Sequence, residues 1–202
     1  MSNKAFFVGD HVALDFLNTI AAPRGETIES IPNGEGYLAW LADAALVDQK
    51  ETSELLKKFG KEALDRVATE ARELREWFRR ELLHAAKVQK DWRTPEVIAK
   101  LNTLLASDSA YWQLKEVEGQ KILREERRLT KAQQLLIPVV QKIAELLTHP
   151  DQILIKLCAN PNCTLWFFDR TKSHRRLFCS TAVCGNRAKV AAYRERQRER
   201  NN

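Results

Sequence analysis

The chain has 202 residues, of which 44% are hydrophobic and 8% aromatic, enough to bury a core and too many for a disordered or collagen-like chain. The longest candidate span, Leu135–Val140, is far shorter than the ~20 apolar residues that cross a bilayer, so we expect no membrane-spanning helix. The N-terminal segment has no apolar run behind a basic start, which predicts no secretory signal and a reducing, cytoplasmic location.

Charge is divided unequally along the chain. Residues 1–150 carry 22 Lys and Arg against 23 Asp and Glu, a net charge of −1. Residues 151–202 carry 11 against 4, a net charge of +7. This distribution is typical of a polyanion-binding module attached to a nearly neutral domain.

The first elements are short. Apolar, β-branched and aromatic residues dominate residues 6–19, with Gly9-Asp10 as a turn, and predict a short hairpin or a strand that enters a loop. Turn-forming residues predict a loop between Ala21 and Gly36. From Tyr37 to Leu46 the sequence predicts a helix.

The strongest periodicity follows, where apolar residues recur at spacings of three and four and predict one long amphipathic helix. These residues are Leu64, Val67, Ala71, Leu74, Phe78, Leu82 and Ala85. Farther on, Thr94-Pro95 indicates a helix start, because a hydroxyl cap precedes a proline whose missing N–H does no harm there. We expect that helix to run through Leu105.

The rest of this region is less regular. The segment Ser107–Leu123 is ambiguous between a strand and a poorly formed hairpin. The segment Lys131–Leu147 predicts a helix with a kink at Pro138. His149-Pro150-Asp151 ends that helix and marks the predicted domain boundary.

All four cysteines lie beyond this boundary, as Cys158-x4-Cys163 and Cys179-x4-Cys184, with 15 residues between the pairs. Two short hooks joined by such a loop are what a tetrahedral zinc ion requires. Disulfides are the alternative that the spacing leaves open, and a reducing compartment disfavours them. Four thiolates leave no position for water, so the sequence predicts one structural Zn²⁺.

The predicted fold class is mainly α with a small β component. A helical N-terminal domain at 1–150 precedes a small four-cysteine, zinc-ribbon-like module at 151–202, built from a β-hairpin and a basic helix. The hairpin strands are Ile153–Leu157 and Leu165–Phe168, with the first cysteine hook at their tip. We expect this module to unfold without zinc and to leave the melting of the helical domain largely intact.

Two residues follow the last cysteine as local signals. Gly185 is expected to allow a sharp turn after Cys184, and Asn186 to cap the final helix. The helix beyond Arg196 could equally be a solvated tail.

Five basic residues are candidate nucleic-acid contacts, because a guanidinium fork matches phosphate or the edge of guanine. They are Arg175, Arg176, Arg187, Lys189 and Arg194. Arg187 could instead brace the zinc site by donating to backbone carbonyls or thiolates. The aromatic run Trp166–Phe168 is either the core of the module or a surface on which bases stack.

The sequence contains no recognisable set of catalytic residues. The four histidines are scattered, and neither a Gly-rich phosphate loop nor a nucleophile motif occurs, so we expect no enzyme activity. Asp15 and Asn18 stand among apolar residues. Such side chains either bond backbone within the fold or face a pocket.

Both ends of the chain resemble known families. The run from Cys158 through the aromatic-Asp-Arg sequence Phe168-Asp169-Arg170 to Cys184-Gly185-Asn186-Arg187 resembles the CGNR zinc finger over residues 153–194. Upstream, Leu14-Asp15-Phe16-Leu17-Asn18-Thr19 is similar to the LDF-x-NT signature of the ABATE domain that usually accompanies this finger.

The resemblance implies a bacterial, stress-induced transcription regulator in which the finger binds DNA in a zinc-dependent way. It also implies a small-molecule effector pocket in the N-terminal domain near Asp15, Asn18 and Trp40. A single finger offers few base contacts, so specific binding to duplex DNA is expected to need a homodimer. Two alternatives stay open: RNA binding by the same surface, and a ligand-binding domain whose zinc module serves protein interaction.

Overall fold

A computed structural model describes residues 5–22 and 26–201 of the chain. Its helices are α1 (Val12–Leu17), α2 (Gly34–Asp43), α3 (Thr52–Phe59), α4 (Lys61–Val88), α5 (Pro95–Leu105), α6 (Ile137–Thr148) and α7 (Asn186–Asn201). Its strands are β1 (Ile20–Ala21), β2 (Ile28–Glu29), β3 (Ala110–Val117), β4 (Gln120–Arg127), β5 (Ile155–Leu157) and β6 (Trp166–Phe168). The strands pair consecutively as antiparallel hairpins, which confirms the predicted fold class.

Helix α4 organises the core. Every residue of the predicted apolar stripe, from Leu64 to Ala85, is buried. Helix α2 packs on it at Gly34, where an added Cβ would lie 2.5 Å from the Cβ of Leu64. Asn33 caps α2 by accepting a hydrogen bond from the N–H of Gly36, so this helix begins three residues before the predicted start at Tyr37.

The prediction of a strand or hairpin at residues 6–19 is wrong, because α1 is a short buried helix. The ring nitrogen of His11 caps it by accepting from the N–H of Ala13 at 3.2 Å. Five of its six residues are buried, and all but Asp15 are apolar, so the helix has no solvent face. A short segment that is buried on all sides carries no period that separates helix from strand.

Two helix starts carry proline. Thr94 accepts from the N–H of Val97 and Pro95 opens α5, as predicted. Pro138 does not kink a helix. A 3₁₀ turn at Ala132–Leu136 precedes α6, and Pro138 lies in the first turn of α6, where no N–H is required.

The ambiguous segment Ser107–Leu123 contains β3, the turn and the start of β4, so the structure shows a hairpin there, and a regular one. Strands β3 and β4 pair over eight residues and meet at Glu118-Gly119. Both turn residues have positive φ, 50° and 79°, as a type I′ turn requires. In the predicted loop at 21–36, β1 and β2 form a two-residue bridge, and residues 23–25 lie outside the described part.

Strands β5 and β6 form the predicted hairpin of the C-terminal module, with a 3₁₀ turn before β5. Leu154, Trp166 and Phe168 are part of the same buried cluster as the helices, so the predicted boundary at 150 divides the sequence and not the hydrophobic core. Within the described ranges, the helices are too short or too polar to cross a membrane.

Candidate metal centre and the surface it supports

The four cysteine thiols converge on one point. Cys158 follows β5, Cys163 precedes β6, and Cys179 and Cys184 lie in the second hook. All four Sγ atoms lie within 4.8 Å of one another, with Cys163–Cys179 at 3.8 Å and Cys179–Cys184 at 3.6 Å. A tetrahedron with Zn–S bonds of ~2.3 Å has S···S edges of ~3.8 Å, so the thiols fit a zinc ion.

The same distances exclude disulfides, whose S–S bond is ~2.05 Å, and all four cysteines are free. Each cysteine is buried, so the coordination shell is closed to water. The chain therefore holds one structural Zn²⁺ through Cys158, Cys163, Cys179 and Cys184.

Hydrogen bonds prepare the thiols for the ion. The N–H of Cys179 donates to the Sγ of Cys158 at 3.4 Å. The hydrogen bond from the Cys179 thiol lowers the pKa of Cys163, whereas burial raises the pKa of Cys184. Zinc supplies the positive charge that lets the remaining thiols ionise.

Each hook has its own backbone turn. In the first, Asn160 accepts from the N–H of Asn162 through its side chain and from the N–H of Cys163 through its carbonyl. In the second, Ser180 caps a π-helical turn, Thr181–Gly185, that continues into α7.

Two local predictions for the second hook are wrong. Gly185 makes no sharp turn, because it lies inside the helical turn without a positive φ. Asn186 is not the cap but the first residue of α7, and its side chain donates to the carbonyl of Ala182. A capping serine several residues earlier starts the turn instead, so the helical path begins before Cys184.

Asp169 organises the loop between the hooks, a role that sequence reasoning missed. Its buried carboxylate accepts from Nζ of Lys156 at 2.7 Å, from the hydroxyl of Thr171 at 2.6 Å and from the N–H of Arg176 at 2.9 Å. Burial alone would raise the pKa of Asp169, but these hydrogen bonds outweigh it and hold the pKa well below its usual range. The available signal was one acidic residue directly after a buried aromatic strand.

Arg176 is bound within the fold, unlike the surface contact that the sequence predicts. Its guanidinium donates to the carbonyls of Phe178 and Cys179 and to the carboxylate of Asp10, and it lies 4.3 Å above the ring of Phe167. It therefore joins the second hook to the N-terminal segment.

The other candidate contacts lie nearer the surface. Arg175 is exposed in the loop between the hooks, and Lys189 and Arg194 are exposed on α7. Arg187 is half-buried and lines a cleft with Asn160, Pro161 and Asn162 of the first hook. Two further exposed cations of the loop, Arg170 and Lys172, were not among the predicted contacts.

The aromatic run of β6 is core. Trp166 and Phe168 pack with the helices, and Phe167 packs with the four cysteines. All three side chains are buried, so they do not form a stacking surface for bases.

Asn18 connects α1 to the zinc module. Its amide donates to the carbonyl of Trp166 and accepts from the N–H of Trp166, both at 2.8 Å, and the side chain is 1% exposed. It therefore bonds strand β6 as a neighbouring strand would. Nearby, the N–H of Phe168 donates to the carbonyl of Gly9 at 2.7 Å.

The other polar residues of the LDF-x-NT segment bond different parts of the chain. Asp15 accepts from the N–H of Gly9 at 2.8 Å, and burial raises the pKa of Asp15 to about 6. Thr19 accepts from the buried guanidinium of Arg75, which also pairs with Glu29. Of the two alternatives for Asp15 and Asn18, the structure shows backbone bonding.

Trp40, the third residue of the predicted effector pocket, is buried between helices. Its ring lies 5.4 Å from that of Phe16 and stacks at 6.4 Å on that of Tyr37. Its indole N–H has no hydrogen-bond partner in the described part of the chain.

Two family models match the chain. ABATE, described as "Putative stress-induced transcription regulator", matches residues 10–150. The CGNR zinc finger matches residues 155–197. The curated proteins include no match to the chain. The two matched ranges follow each other in the order expected from the sequence.

Proposed function

The chain belongs to the ABATE family and ends in a CGNR zinc finger, and from this premise we propose that it is a zinc-dependent, DNA-binding transcription regulator of the cytoplasm. The coarser role, that of a transcription regulator, follows from the family. That the partner is duplex DNA is our proposal. The proposed function includes no catalytic activity.

The attachment of α7 to the metal centre is the observation that supports DNA binding. Cys184 lies in the turn that leads directly into α7, so the ion that fixes this turn also fixes the direction of the helix. Helix α7 carries six Lys and Arg against two Glu, and it is exposed over most of its length. A positively charged helix held in a defined direction is suited to a DNA groove.

The cations of α7 form two stripes. At 100° per residue, Arg187, Arg194 and Arg198 lie within about 40° of one another, and the remaining Lys and Arg form a second stripe on the opposite side. A helix in a groove contacts both phosphate walls, which two stripes allow. Arg175 extends the basic surface from the loop between the hooks.

The test is a titration of duplex DNA with the zinc-loaded full chain at several salt concentrations. Five neutralised phosphates predict a log–log slope of roughly −4 to −5, and a slope near zero would contradict phosphate-driven binding. The chelated chain is the control for zinc dependence, because it should lose the ordered direction of α7.

Competition between duplex DNA and structured RNA distinguishes DNA binding from RNA binding by the same surface. The burial of Trp166, Phe167 and Phe168 removes the observation that favoured RNA, which was stacking on these rings. Preferential displacement by RNA would overturn the DNA proposal.

The protein-interaction alternative requires a truncation that spares the shared core. A chain that ends at residue 188 keeps all four cysteines and β6 but lacks most of α7. Loss of DNA binding with retained zinc supports our proposal. Full regulatory function of this truncated chain in cells would favour a zinc module that serves only protein interaction.

The effector pocket stays a prediction. Asp15 and Asn18 are bonded to backbone, but a separate cleft of about 500 Å³ lies between the end of α2 and strand β4, lined by residues that include Leu46, Arg124 and Pro138. Native mass spectrometry of the chain purified from cells tests whether a small molecule is bound. A mass equal to that of the zinc-loaded chain alone would argue against a tightly bound effector.

A further inference from the structure

The β3–β4 hairpin presents an apolar face to solvent. Directly paired residues of antiparallel strands share a face, and Leu114 pairs with Leu123 while Trp112 pairs with Glu125. The three large apolar side chains of this face, Trp112, Leu114 and Leu123, are 66%, 75% and 61% exposed. In the described chain, the two strands pack extensively only on each other.

These three side chains form one continuous apolar patch, unlike the single apolar residues that are normal on a protein surface. Its three side chains expose on the order of 400 Å² of apolar surface, the size at which patches on soluble proteins are often functional. An isolated two-stranded hairpin is at best marginally stable in water, so a regular eight-residue ladder with Trp and Leu on its open face indicates a surface that is covered in use.

The charge of the hairpin narrows the choice of partner. Residues 110–127 carry four Lys and Arg and four Glu, a net charge of zero, so the hairpin attracts neither nucleic acid nor an anionic membrane. On the apolar face, Lys121 lies toward the tip and Glu125 toward the base, on either side of Leu123. Lys121 also lies 3.9 Å from Glu116 of its own chain, in a pair so exposed that it holds Lys121 only weakly. Opposite charges placed symmetrically about an apolar centre are complementary to a second copy of the same face.

We propose that this face is the homodimer interface of the protein. A two-fold axis perpendicular to the strands, through the Leu114–Leu123 pair, stacks the two hairpins tip to base. It places leucines on leucines and sets Glu125 opposite Lys121 of the partner subunit, twice over. The use of the dimer rests on the proposed function, because two subunits supply two basic helices to one DNA duplex.

The size of the face sets the strength of the dimer. Two copies would bury on the order of 800 Å² in total, below the ~1,200 Å² of standard stable interfaces, so the dimer is of the weak, concentration-dependent class. Two adjacent half-sites on DNA would raise the effective concentration of the second subunit and reinforce it.

Sedimentation of the zinc-loaded full chain without DNA tests the proposal. We expect a reversible monomer–dimer equilibrium with a dissociation constant of roughly 1–100 μM. The double variant Leu114→Glu/Leu123→Glu should raise that constant more than ~100-fold, because it places four carboxylates at the centre of the interface. Ile153→Glu, at an apolar residue 84% exposed elsewhere, is the matched control and should leave the constant unchanged.

A charge exchange tests the orientation. Lys121→Glu should weaken the dimer about tenfold, and adding Glu125→Lys should restore it, because Lys121 and Glu125 meet only across the proposed interface. The exposed pair of Lys121 with Glu116 of the same chain contributes little, and the rescuing residue Glu125 does not touch it. Zinc content and far-ultraviolet circular dichroism check that each variant is folded.

A wild-type chain that stays monomeric at these concentrations would overturn the proposal, as would a dimer that survives the double leucine variant. Failure to rescue by Glu125→Lys would overturn the tip-to-base arrangement. Since the measurement contains no DNA, a dimer that fails to bind DNA would contradict the proposed function alone. A monomer that binds DNA would contradict this inference alone.

Discussion

The β5–β6 hairpin and helix α7 are held by the same four thiolates but have opposite surroundings. Trp166 and Phe168 of β6 are buried among the helices, and Asn18 bonds the backbone of β6. Helix α7 is exposed over most of its length. Zinc therefore joins a part of the domain core to a free surface. Changes on the β6 side should affect stability, and changes on the α7 side should affect binding alone.

The largest effect is expected from Cys163→Ser. The sequence predicts that the melting transition of the helical domain then stays largely unchanged. The shared core indicates instead that β6 and the helices unfold together. We expect the melting temperature of the whole chain to fall by about 10 °C or more, since losing the ion removes several kcal/mol of folding free energy. Near- and far-ultraviolet circular dichroism measure both parts.

The control for this variant is Ser173→Ala, at an exposed residue between the hooks. Two separate transitions, with the helical one unmoved, would show that the core is divided at residue 150 and would restore the sequence prediction.

Asn18→Ala should have the next largest effect on stability, through the β5–β6 hairpin that is buried against the helices. It leaves the N–H and the carbonyl of Trp166 without partners in a buried place. Each such group costs ~1–3 kcal/mol, so we expect a loss of about 2–6 kcal/mol in chemical denaturation. Asn18→Asp should be at least as destabilising at neutral pH, because it sets a buried carboxylate oxygen against the carbonyl of Trp166. Asn102→Ala, at an exposed position, should change little, and an equal loss there would remove the special role of Asn18.

Asp15→Asn should change the pH dependence of the free energy of unfolding. Burial raises the pKa of Asp15 to about 6, so between the unfolded value and 6 the folded chain binds more protons and stability falls as pH rises. From pH ~5.5 to ~7.5 this carboxyl should lower stability by about 1 kcal/mol, a slope that the variant should lack. Denaturation of both proteins across this range measures it. Parallel curves would mean that Asp15 ionises normally.

The smallest effect on stability is expected on the exposed half. Arg194→Ala should leave zinc content and melting unchanged, because the side chain is exposed. Its affinity for duplex DNA should fall about 3- to 10-fold, with the salt slope reduced by ~1 if it contacts phosphate. Arg80→Ala, at an exposed arginine of α4, is the matched control. Equal affinity of both variants would remove Arg194 from the contact surface.

The features that the sequence predicted are those with a local cause. The cysteine spacing depends on two tight hooks, and the stripe from Leu64 to Ala85 depends on the helical period alone. Thr94 and Pro95 open α5 by the chemistry of two adjacent residues. These patterns can be interpreted without knowing which other segments lie nearby.

The features that the sequence did not predict depend on distant partners. Asn18 and Trp166 are 148 positions apart, and Arg176 and Asp10 are 166 apart, so no local pattern pairs them. The sequence leaves Ser107–Leu123 open between a strand and a poorly formed hairpin, because the pairing of β3 with β4 becomes visible only once Glu118-Gly119 is recognised as the turn. The sequence predicts a strand where α1 forms, because burial on all sides removes the periodicity of this helix.

The hydrogen bonds of Asn18 and Gly9 to strand β6 bear on how such a finger can be transplanted. A fragment cut at residue 151 would leave behind the side chain that completes one flank of its sheet. A chimaera that carries this basic helix and its zinc site in another protein would also have to include the Gly9–Asn18 segment. For protein engineering, the smallest portable unit of the finger is thus discontinuous in the gene.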